Sequence, residues 1–174
     1  MRPRVIVYIA ASVDGRIATA DGGIEWLKPY ESADYGFDSF MKGIDGIVMG
    51  RTTYDQVRGF GAWPYDGAPV MVLTSRRLAD PAEGVEAAKS PRAAIARLEA
   101  LGARRIWNVG GGKTIGAFFD IGAVDELRLF TIPLVLGAGP MLVAGTRRPA
   151  TLRLAEHKLH AHGVVEQRFA PDDA

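Results

Sequence analysis

The chain has 174 residues, of which 21 are Lys or Arg and 20 are Asp or Glu, and it contains no cysteine. A formal net charge of +1 gives no broad basic field, so we expect no nucleic-acid partner. The absence of cysteine excludes disulfides, thiolate nucleophiles and Cys-based zinc sites, and it fits a reducing cytoplasm. A hydrophobic fraction of 48% and a charged fraction of 24% are typical of a globular protein. We expect one domain over residues 1–174.

The N-terminus only weakly resembles the front of a signal peptide. Arg2 and Arg4 precede the apolar run Val5–Ala11, but that run passes directly into Ser12–Gly15, which favours a strand entering a turn. No later apolar run approaches membrane-spanning length. We therefore expect a soluble, cytoplasmic protein without a membrane partner.

The first predicted elements alternate between strand and helix. Val5–Ala10 is a continuous apolar run, typical of a central strand that is covered on both faces. From Ser32 to Ile44 the apolar residues follow helical spacing, which predicts a helix capped by Ser32 or Asp34. A short buried strand, Ile47–Met49, follows.

The same alternation continues through the middle of the chain. A second helix is predicted to open at Thr52 or Thr53, and Pro69–Leu73 is a buried strand. Ser90 is the predicted N-cap of a third helix that starts with proline. Arg105–Val109 is a further strand, followed by three glycines and another helical face. This pattern predicts a largely parallel sheet between helical layers.

The C-terminal third differs, because strand-like runs occur there without a convincing helix between them. Leu127–Phe130, Leu152–Leu154 and Val164–Glu166 are expected to be antiparallel strands that close one edge of the sheet. His162-Gly163 is a plausible hairpin turn. Residues 136–140 are expected to form a loose surface loop.

Three strand exits carry residues suited to an anionic ligand, and ligands of open α/β sheets bind beyond the carboxyl ends of parallel strands. Gly50–Thr53 and Thr74–Arg77 combine hydroxyl and guanidinium groups, and Gly110–Thr114 would let a diphosphate approach the backbone at a helix N-terminus. Each could instead be an ordinary turn, cap or solvated loop. A P-loop is excluded because Trp107 replaces a required glycine, and a Rossmann motif because Ile115 does.

Asp34 is the candidate catalytic carboxylate. It lies at the predicted helix start beside the apolar stripe, where we expect it to be partly buried. Such a carboxyl group could assist protonation of a substrate nitrogen or hold a heterocycle by paired hydrogen bonds. The alternative, favoured by spacing alone, is an N-cap stabilised by the helix dipole, with Asp38 as a surface acid.

Neither the histidines nor the tryptophans indicate a further site. Strand alternation places His157 on the opposite face from His160, so a surface hairpin that includes His162 is favoured over a metal site. We therefore expect no metal. Trp26 and Trp63 are expected to pack in the core rather than to line a pocket or a dimer contact.

The order of four motifs over almost the whole chain resembles the dihydrofolate reductase superfamily. The motifs are Ala10–Ala18, Ile47–Tyr54, Leu73–Arg76 and Gly110–Lys113. The Ala-Ser-Val-Asp-Gly opening is most similar to the reductase domain of the bifunctional riboflavin-biosynthesis deaminase-reductase, and Met-Gly-Arg-x-Thr-Tyr is closer to dihydrofolate reductase. The resemblance implies a three-layer α/β fold around a mixed, mostly parallel sheet of about eight strands with an antiparallel C-terminal edge.

The resemblance also implies NADPH as the cofactor. The Gly50–Thr53 turn and the Thr74–Arg77 exit would surround the adenosine phosphate, and Gly110–Thr114 would meet the diphosphate and nicotinamide side. The loop after the first strand would cover the nicotinamide. Asp34 matches the family's substrate-binding acid. The implied cofactor-binding residues are Ala11, Ile17, Ala18, Gly50, Arg51, Thr52, Thr53, Ser75, Arg76, Gly110, Gly111, Gly112, Lys113 and Thr114.

Two departures from the family pattern leave the substrate open. Thr53–Arg58 stands where riboflavin reductase domains carry Asp-Asp-Pro, and Asp38 adds a second charge facing the pocket. We expect hydride transfer from NADPH to a small heterocyclic or sugar-like substrate, of the riboflavin-precursor reductase type. The alternatives are a dihydrofolate or pteridine reductase and a non-catalytic, NADPH-binding regulatory module. Relatives are often homodimers, so a homodimer is also expected.

Overall fold

The computed structural model describes residues 2–65 and 67–172. The predicted domain boundaries at 1 and 174 stay a prediction, since Met1, Asp66, Asp173 and Ala174 lie outside the described residues. No helix within the described ranges is long and apolar enough to cross a membrane. The strands are β1 (Arg4–Ser12), β2 (Gly46–Gly50), β3 (Val70–Leu73), β4 (Val85–Ala88), β5 (Arg105–Gly110), β6 (Glu126–Ile132), β7 (Leu152–Leu159) and β8 (Val165–Pro171). The helices are α1 (Phe37–Met41), α2 (Arg51–Gly59), α3 (Pro91–Ala100) and α4 (Gly112–Asp120), with 3-10 turns at Glu25–Tyr30 and Ala161–Gly163.

The eight strands form one sheet in the order β4-β3-β2-β5-β1-β6-β8-β7. Neighbouring strands from β4 to β6 are parallel, whereas β8 pairs antiparallel with both β6 and β7. This arrangement confirms the predicted mixed sheet with its antiparallel C-terminal edge. One detail is wrong: Leu127–Phe130 belongs to β6, which is parallel to β1, because α4 carries the chain back across the sheet before β6 begins.

Helices cover both faces of the sheet, which confirms the three layers. α3 and α4 pack on one face, where Leu98 and Phe118 are fully buried. α1 and α2 pack on the other face through Phe40 and Tyr54. Both faces of the central strands are therefore shielded from solvent, which explains why β1 is a continuous apolar run rather than an alternating one.

The predicted helix from Ser32 to Ile44 is wrong in its length and its cap. The helix occupies only Phe37–Met41, and Gly36 precedes it in a left-handed conformation with φ of 74°. The Gly36 amide donates to Asp34 Oδ1 at 2.7 Å, so the Asp34 side chain stabilises a turn before the helix instead of capping it. Local side-chain hydrogen bonds of this kind compete with helix formation.

The N-cap of α3 is predicted correctly, because Ser90 Oγ accepts a hydrogen bond from the Ala93 amide at 3.2 Å. Ser90→Ala is expected to lower the free energy of unfolding by about 1 kcal/mol. The melting temperature should then fall by about 2–4 °C in thermal denaturation. Ser39→Ala, at an exposed position in α1, is the control and should change the melting temperature by less. An equal fall in melting temperature for both variants would contradict the capping role of Ser90.

Candidate functional site

The carboxyl ends of β3, β2, β5 and β1 lie side by side at one edge of the sheet. α2 follows β2 and packs on the face that contains Tyr54, whereas α4 follows β5 and packs on the face that contains Phe118. Because these helices leave neighbouring strands toward opposite faces, these strand ends are the topological switch point of the sheet, where we expect a ligand-binding crevice. The predicted segments Gly50–Thr53 and Gly110–Thr114 both lie at this crevice.

Gly111 marks the point at which three of the predicted segments meet. A Cβ added to Gly111 would lie 3.6 Å from Ile17 Cδ1 and 3.7 Å from Thr53 Oγ1, which are ordinary van der Waals distances. Ile17 lies in the loop after β1, and Thr53 in the first turn of α2. The structure therefore brings the β1 loop, the start of α2 and the turn after β5 together around one small space.

Two other predicted glycines are explained by close packing within the chain. A Cβ on Gly50 would lie 2.5 Å from Thr114 Oγ1, and a Cβ on Gly112 would overlap with the carbonyl oxygen of Met141. The first glycine lets the starts of α2 and α4 approach each other, and the second lets the chain after β6 pack on α4. Their assignment to cofactor binding stays a prediction.

The remaining predicted cofactor residues differ in how accessible they are. Ala11, Ala18 and Thr114 are buried, whereas Thr52 and Lys113 are exposed. Only groups that reach the surface of the crevice can touch a ligand with their side chains. The buried residues would contribute shape and backbone groups rather than side-chain contacts.

The cations predicted for the adenosine phosphate flank the exits of β2 and β3. Arg51 Nε donates to both carboxylate oxygens of Asp55 at 2.8 and 2.9 Å, and Arg51 Nη1 donates to the Arg77 carbonyl at 3.3 Å. The Arg76 amide donates to Thr74 Oγ1 at 3.0 Å, and Ser75 beside it is exposed. No described residue accepts a hydrogen bond from the exposed Arg76 guanidinium, so this cation remains available to a ligand.

The segment after β6 is not the loose surface loop that the sequence predicts. The Leu142 amide donates to the Gly15 carbonyl at 2.8 Å, and the Ala144 amide donates to the Gly112 carbonyl at 3.1 Å. These bonds join the turn after β1 to the start of α4. Residues 136–140 do form a surface loop, as predicted, but not a loose one, because the Ile17 amide donates to the Pro140 carbonyl at 3.0 Å and Arg16 Nη1 donates to the Gly139 carbonyl at 2.8 Å.

Asp14, expected only to mark a turn, anchors this arrangement. Its Oδ1 accepts hydrogen bonds from Ser12 Oγ at 2.7 Å and the Leu136 amide at 3.0 Å, and its Oδ2 accepts one from the Gly137 amide at 2.8 Å. The bond from Ser12, followed by those from the two amides, lowers the pKa of Asp14 from 3.8 to about 2. The carboxylate thus ties the β1 turn to the loop after β6.

Asp14→Asn is expected to make stability less dependent on pH. Because folding lowers the pKa of Asp14, its contribution to stability is present above pH 3.8 and is lost as the pH falls toward about 2. The variant should melt below the wild type at neutral pH, and the gap should close with acidification. Glu99→Gln, at an exposed position in α3, is the control, and a constant gap for Asp14→Asn would contradict the role of its charge.

A cavity of about 520 Å³ lies between residues 27–38 and the ends of β1 and β6. The Tyr8 hydroxyl donates to the Tyr35 carbonyl at 3.0 Å. Burial raises the pKa of the Tyr8 hydroxyl, with the Arg128 guanidinium opposing it, so this group stays a donor. The volume is typical of small-molecule sites. Aromatic side chains form much of the wall: Tyr8, Tyr30, Tyr35, Phe37 and Phe130.

Asp34 lines this cavity together with Glu31 and Asp38, so the expectation that Asp38 adds a second charge is confirmed. The expected partial burial of Asp34 is wrong, because the helix starts three residues later and Asp34 lies in the exposed turn before it. Its Oδ1 accepts from the Gly36 amide, and no described residue donates to Oδ2. That oxygen is available to a substrate, although the catalytic role of Asp34 stays a prediction.

His160 and the two tryptophans Trp26 and Trp63 have structural roles rather than a role in a metal site. The described His, Asp and Glu side chains form no group of three or more that could hold a metal ion. His160 is not a surface residue: its side chain is 5% exposed, and Nε2 lies 2.8 Å from Glu166 Oε2. Burial opposes ionisation of Glu166, but His160 and Arg168 hold its pKa below the ordinary value. Trp26 and Trp63 pack against the core, as predicted.

Sequence reasoning missed the aromatic wall of the cavity and one buried amide. Asn108 is fully buried in β5, and its Oδ1 accepts a hydrogen bond from the Gly110 amide at 3.0 Å. It therefore positions the turn in which Gly111 lies. The signal in the sequence is a polar residue inside an otherwise apolar strand, since buried amides are normally hydrogen-bonded.

The mixed eight-stranded sheet, the crevice at its strand ends and the adjoining cavity define the class of dihydrofolate reductase-like folds. The family model of the RibD C-terminal domain matches residues 3–165. The chain belongs to this family of reductase-like domains related to riboflavin biosynthesis, as the motif resemblance predicts.

Individual relatives support this assignment along the whole chain. YwjB of Bacillus subtilis (strain 168) is 33% identical over 167 residues, which cover 94% of this chain and 96% of YwjB. A crystal structure from Shewanella sp. PV-4, whose name assigns it provisionally to riboflavin biosynthesis, matches with a TM-score of 0.85 and 29% identity over 99% of each chain. The diaminohydroxyphosphoribosylaminopyrimidine deaminase/5-amino-6-(5-phosphoribosylamino)uracil reductase of Thermotoga maritima matches with a TM-score of 0.72 and 16% identity, over 98% of this chain and 57% of that one.

Proposed function

We propose that this chain is an NADPH-dependent reductase that transfers a hydride to a C=N or C=O bond of a small heterocyclic or sugar-like substrate. The observation that carries the proposal is that the crevice adjoins the cavity. Ala10 lines the cavity, and the next residue, Ala11, begins the segment that enters the crevice. A cofactor in the crevice and a ring in the cavity would therefore meet at the end of β1.

The residues at the crevice fit a dinucleotide phosphate. NADPH would supply the hydride, and the chain would hold and orient both reactants. The space beside Gly111, between Ile17 and Thr53, would admit part of the cofactor against the backbone. The amides at the start of α4 suit the diphosphate, and Arg51 and Arg76 suit the additional phosphate on the adenosine.

We propose a substrate of the riboflavin-precursor reductase type, which the family membership supports. The compounds to try first are the one in the name of the Thermotoga maritima protein, 5-amino-6-(5-phosphoribosylamino)uracil, and the same compound without its phosphate. A dihydrofolate or pteridine reductase is the second candidate, because Asp34 lies in an aromatic-walled cavity that suits a flat bicyclic ring. In both cases Asp34 would anchor or polarise the substrate.

A fluorescence titration with NADPH and NADH side by side tests the cofactor. We expect tight, NADPH-selective binding, followed by NADPH oxidation with a matching substrate. Binding to neither cofactor would contradict the reductase function. NADPH binding without oxidation of any candidate substrate would favour the non-catalytic regulatory module instead.

We also propose that the protein is a homodimer. β7 forms one edge of the sheet, and the exposed strand carries Leu154 and Leu159, which are 47% and 71% exposed. Unpaired sheet edges and exposed apolar side chains favour association with another chain. Light scattering measures the mass of the particle in solution. A mass of two chains would support the homodimer, and a mass of one chain would contradict it.

A further inference from the structure

We propose that the cavity selects a planar, neutral or cationic nitrogen heterocycle that carries no phosphate group, and that Glu31 and Asp38 are the residues that reject the phosphorylated form. This inference rests on the proposed reductase function, since it concerns the substrate side of the same site. It separates this chain from a reductase whose substrate bears a phosphoribosyl group.

The described residues that line the cavity carry negative charge only. Three carboxylates line it, from Glu31, Asp34 and Asp38, and within the described part of the chain no Lys, Arg or His does so. A phosphate monoester carries about −1.5 to −2 charges at neutral pH. Binding it here would bring like charges together without a cation to neutralise them, whereas amino groups of a heterocycle could donate hydrogen bonds to the carboxylates.

Two cations packed behind the cavity wall, Arg128 and His160, are already engaged by carboxylates. The Arg128 guanidinium lies over the Tyr8 ring, 5.5 Å from its centroid, and forms ion pairs with Glu126 at 3.2 Å and Glu166 at 3.7 Å. His160 Nε2 lies 2.8 Å from Glu166 Oε2. These groups are therefore held by carboxylates next to the cavity wall and are not aimed at a ligand.

His162 lies beside Ser32 and Tyr30 at the cavity rim. Its Nε2 lies 3.1 Å from Ser32 Oγ, and its ring meets the Tyr30 ring edge-on at 6.4 Å. A single exposed imidazole with a hydroxyl partner does not provide the bidentate, permanently charged contact that phosphate recognition favours. His162 therefore adds no permanent positive charge for a phosphate at the rim.

Charged residues are distributed unevenly along the strand ends. Arg51, Arg76 and Lys113 follow β2, β3 and β5, on the side of β1 away from the cavity. The acidic group follows β1 and lines the cavity with β6 residues such as Phe130. The Arg76 guanidinium and Lys113, at the exits of β3 and β5, pair with no described residue, so a phosphate on the cofactor side would meet available cations. This difference would also keep the cofactor and the substrate in their own halves of the site.

The test compares 5-amino-6-(5-phosphoribosylamino)uracil with the same compound after removal of its phosphate. Dissociation constants are measured on the full chain at low ionic strength by protein fluorescence, because the Trp107 ring lies 5.5 Å from the Phe37 ring in the cavity wall. Each titration is made with and without NADPH. We expect the unphosphorylated compound to bind at least about tenfold more tightly, with the ratio falling as salt screens the charges.

The double variant Glu31→Gln/Asp38→Asn removes two of the three carboxylates and leaves Asp34 intact. We expect it to gain affinity for the phosphorylated compound, so that the ratio falls to within about threefold. Glu83→Gln, an exposed position before β4, is the matched control and should keep the wild-type ratio. Equal or tighter binding of the phosphorylated compound, an unchanged ratio in the double variant, or no binding of either compound would overturn the proposal.

The two proposals fail in distinguishable ways. If NADPH binds and the phosphorylated compound is preferred, the inference about the cavity is wrong and the reductase function stands. If NADPH does not bind but the unphosphorylated compound is preferred, the cavity inference stands and the reductase function is wrong.

Discussion

Gly112→Ala is expected to destabilise the protein by about 3 kcal/mol, at the upper end of the usual range for overpacking. The added Cβ would overlap with the Met141 carbonyl oxygen and lie 3.3 Å from that of Leu142. Both atoms belong to backbone that hydrogen bonds hold to the β1 turn and to α4, so they cannot rotate away as a side chain would. The melting temperature should fall by roughly 6–12 °C, at about 2–4 °C per kcal/mol for a chain of this size.

Gly59→Ala is the matched control for this substitution. Gly59 is the last residue of α2, and an added Cβ would meet no atom within 4 Å. Alanine is also the better helix former, so this variant should be as stable as the wild type or slightly more so. If the Gly112→Ala and Gly59→Ala proteins had the same melting temperature, the segment after β6 would not pack on α4 in this way.

Arg76→Ala is expected to weaken NADPH binding about 10- to 100-fold, because hydrogen bonds to charged groups contribute about 1.5–3 kcal/mol and each 1.4 kcal/mol is tenfold. NADH lacks the additional phosphate, so its affinity should change little. Parallel titrations of wild type and variant with both cofactors measure this selectivity. Arg51→Ala should act in the same direction, but it also removes the contacts with Asp55 and the Arg77 carbonyl and should loosen the loop after β3.

The control for both variants is Arg153→Ala. Arg153 is an exposed arginine in β7, six strand positions from β3 and thus roughly 29 Å away at about 4.8 Å per step. The Arg153→Ala substitution removes the same charge from the protein but leaves the crevice unchanged. An equal loss of NADPH and NADH affinity in Arg76→Ala, or an equal NADPH loss in Arg153→Ala, would refute a specific phosphate contact.

The elements with strong local signals are those that the sequence predicts well. β1 and β5 are apolar runs, and Ser90-Pro91 carries its own capping signal, so each is specified by neighbouring residues. β4 is not indicated because its four residues include Glu86 and small alanines. The helix at 32–44 is overestimated because Asp34 and Gly36 form a local turn that apolar spacing does not reveal.

The sequence likewise predicts one part of the candidate site, the crevice, and not the other part, the cavity. The crevice residues follow strands directly in the chain, so Gly50–Thr53 and Gly110–Thr114 could be placed at strand exits from the motifs. The cavity could not, because its wall combines Tyr8 and Phe130, from strands that are adjacent only in the folded sheet. The role of Asp14 was equally hidden, since its partner Leu136 is 122 residues away.

The sequence by itself determined the fold class, the mixed sheet and the family, because these depend on periodicity, turn chemistry and the order of local motifs. Only the tertiary structure decided that Gly112 is a packing position, that the loop after β6 is docked and that Asp34 is exposed. It also decided the composition of the cavity, whose lining includes five aromatic residues and three carboxylates. Those properties depend on contacts between segments far apart in the chain, which no local pattern specifies.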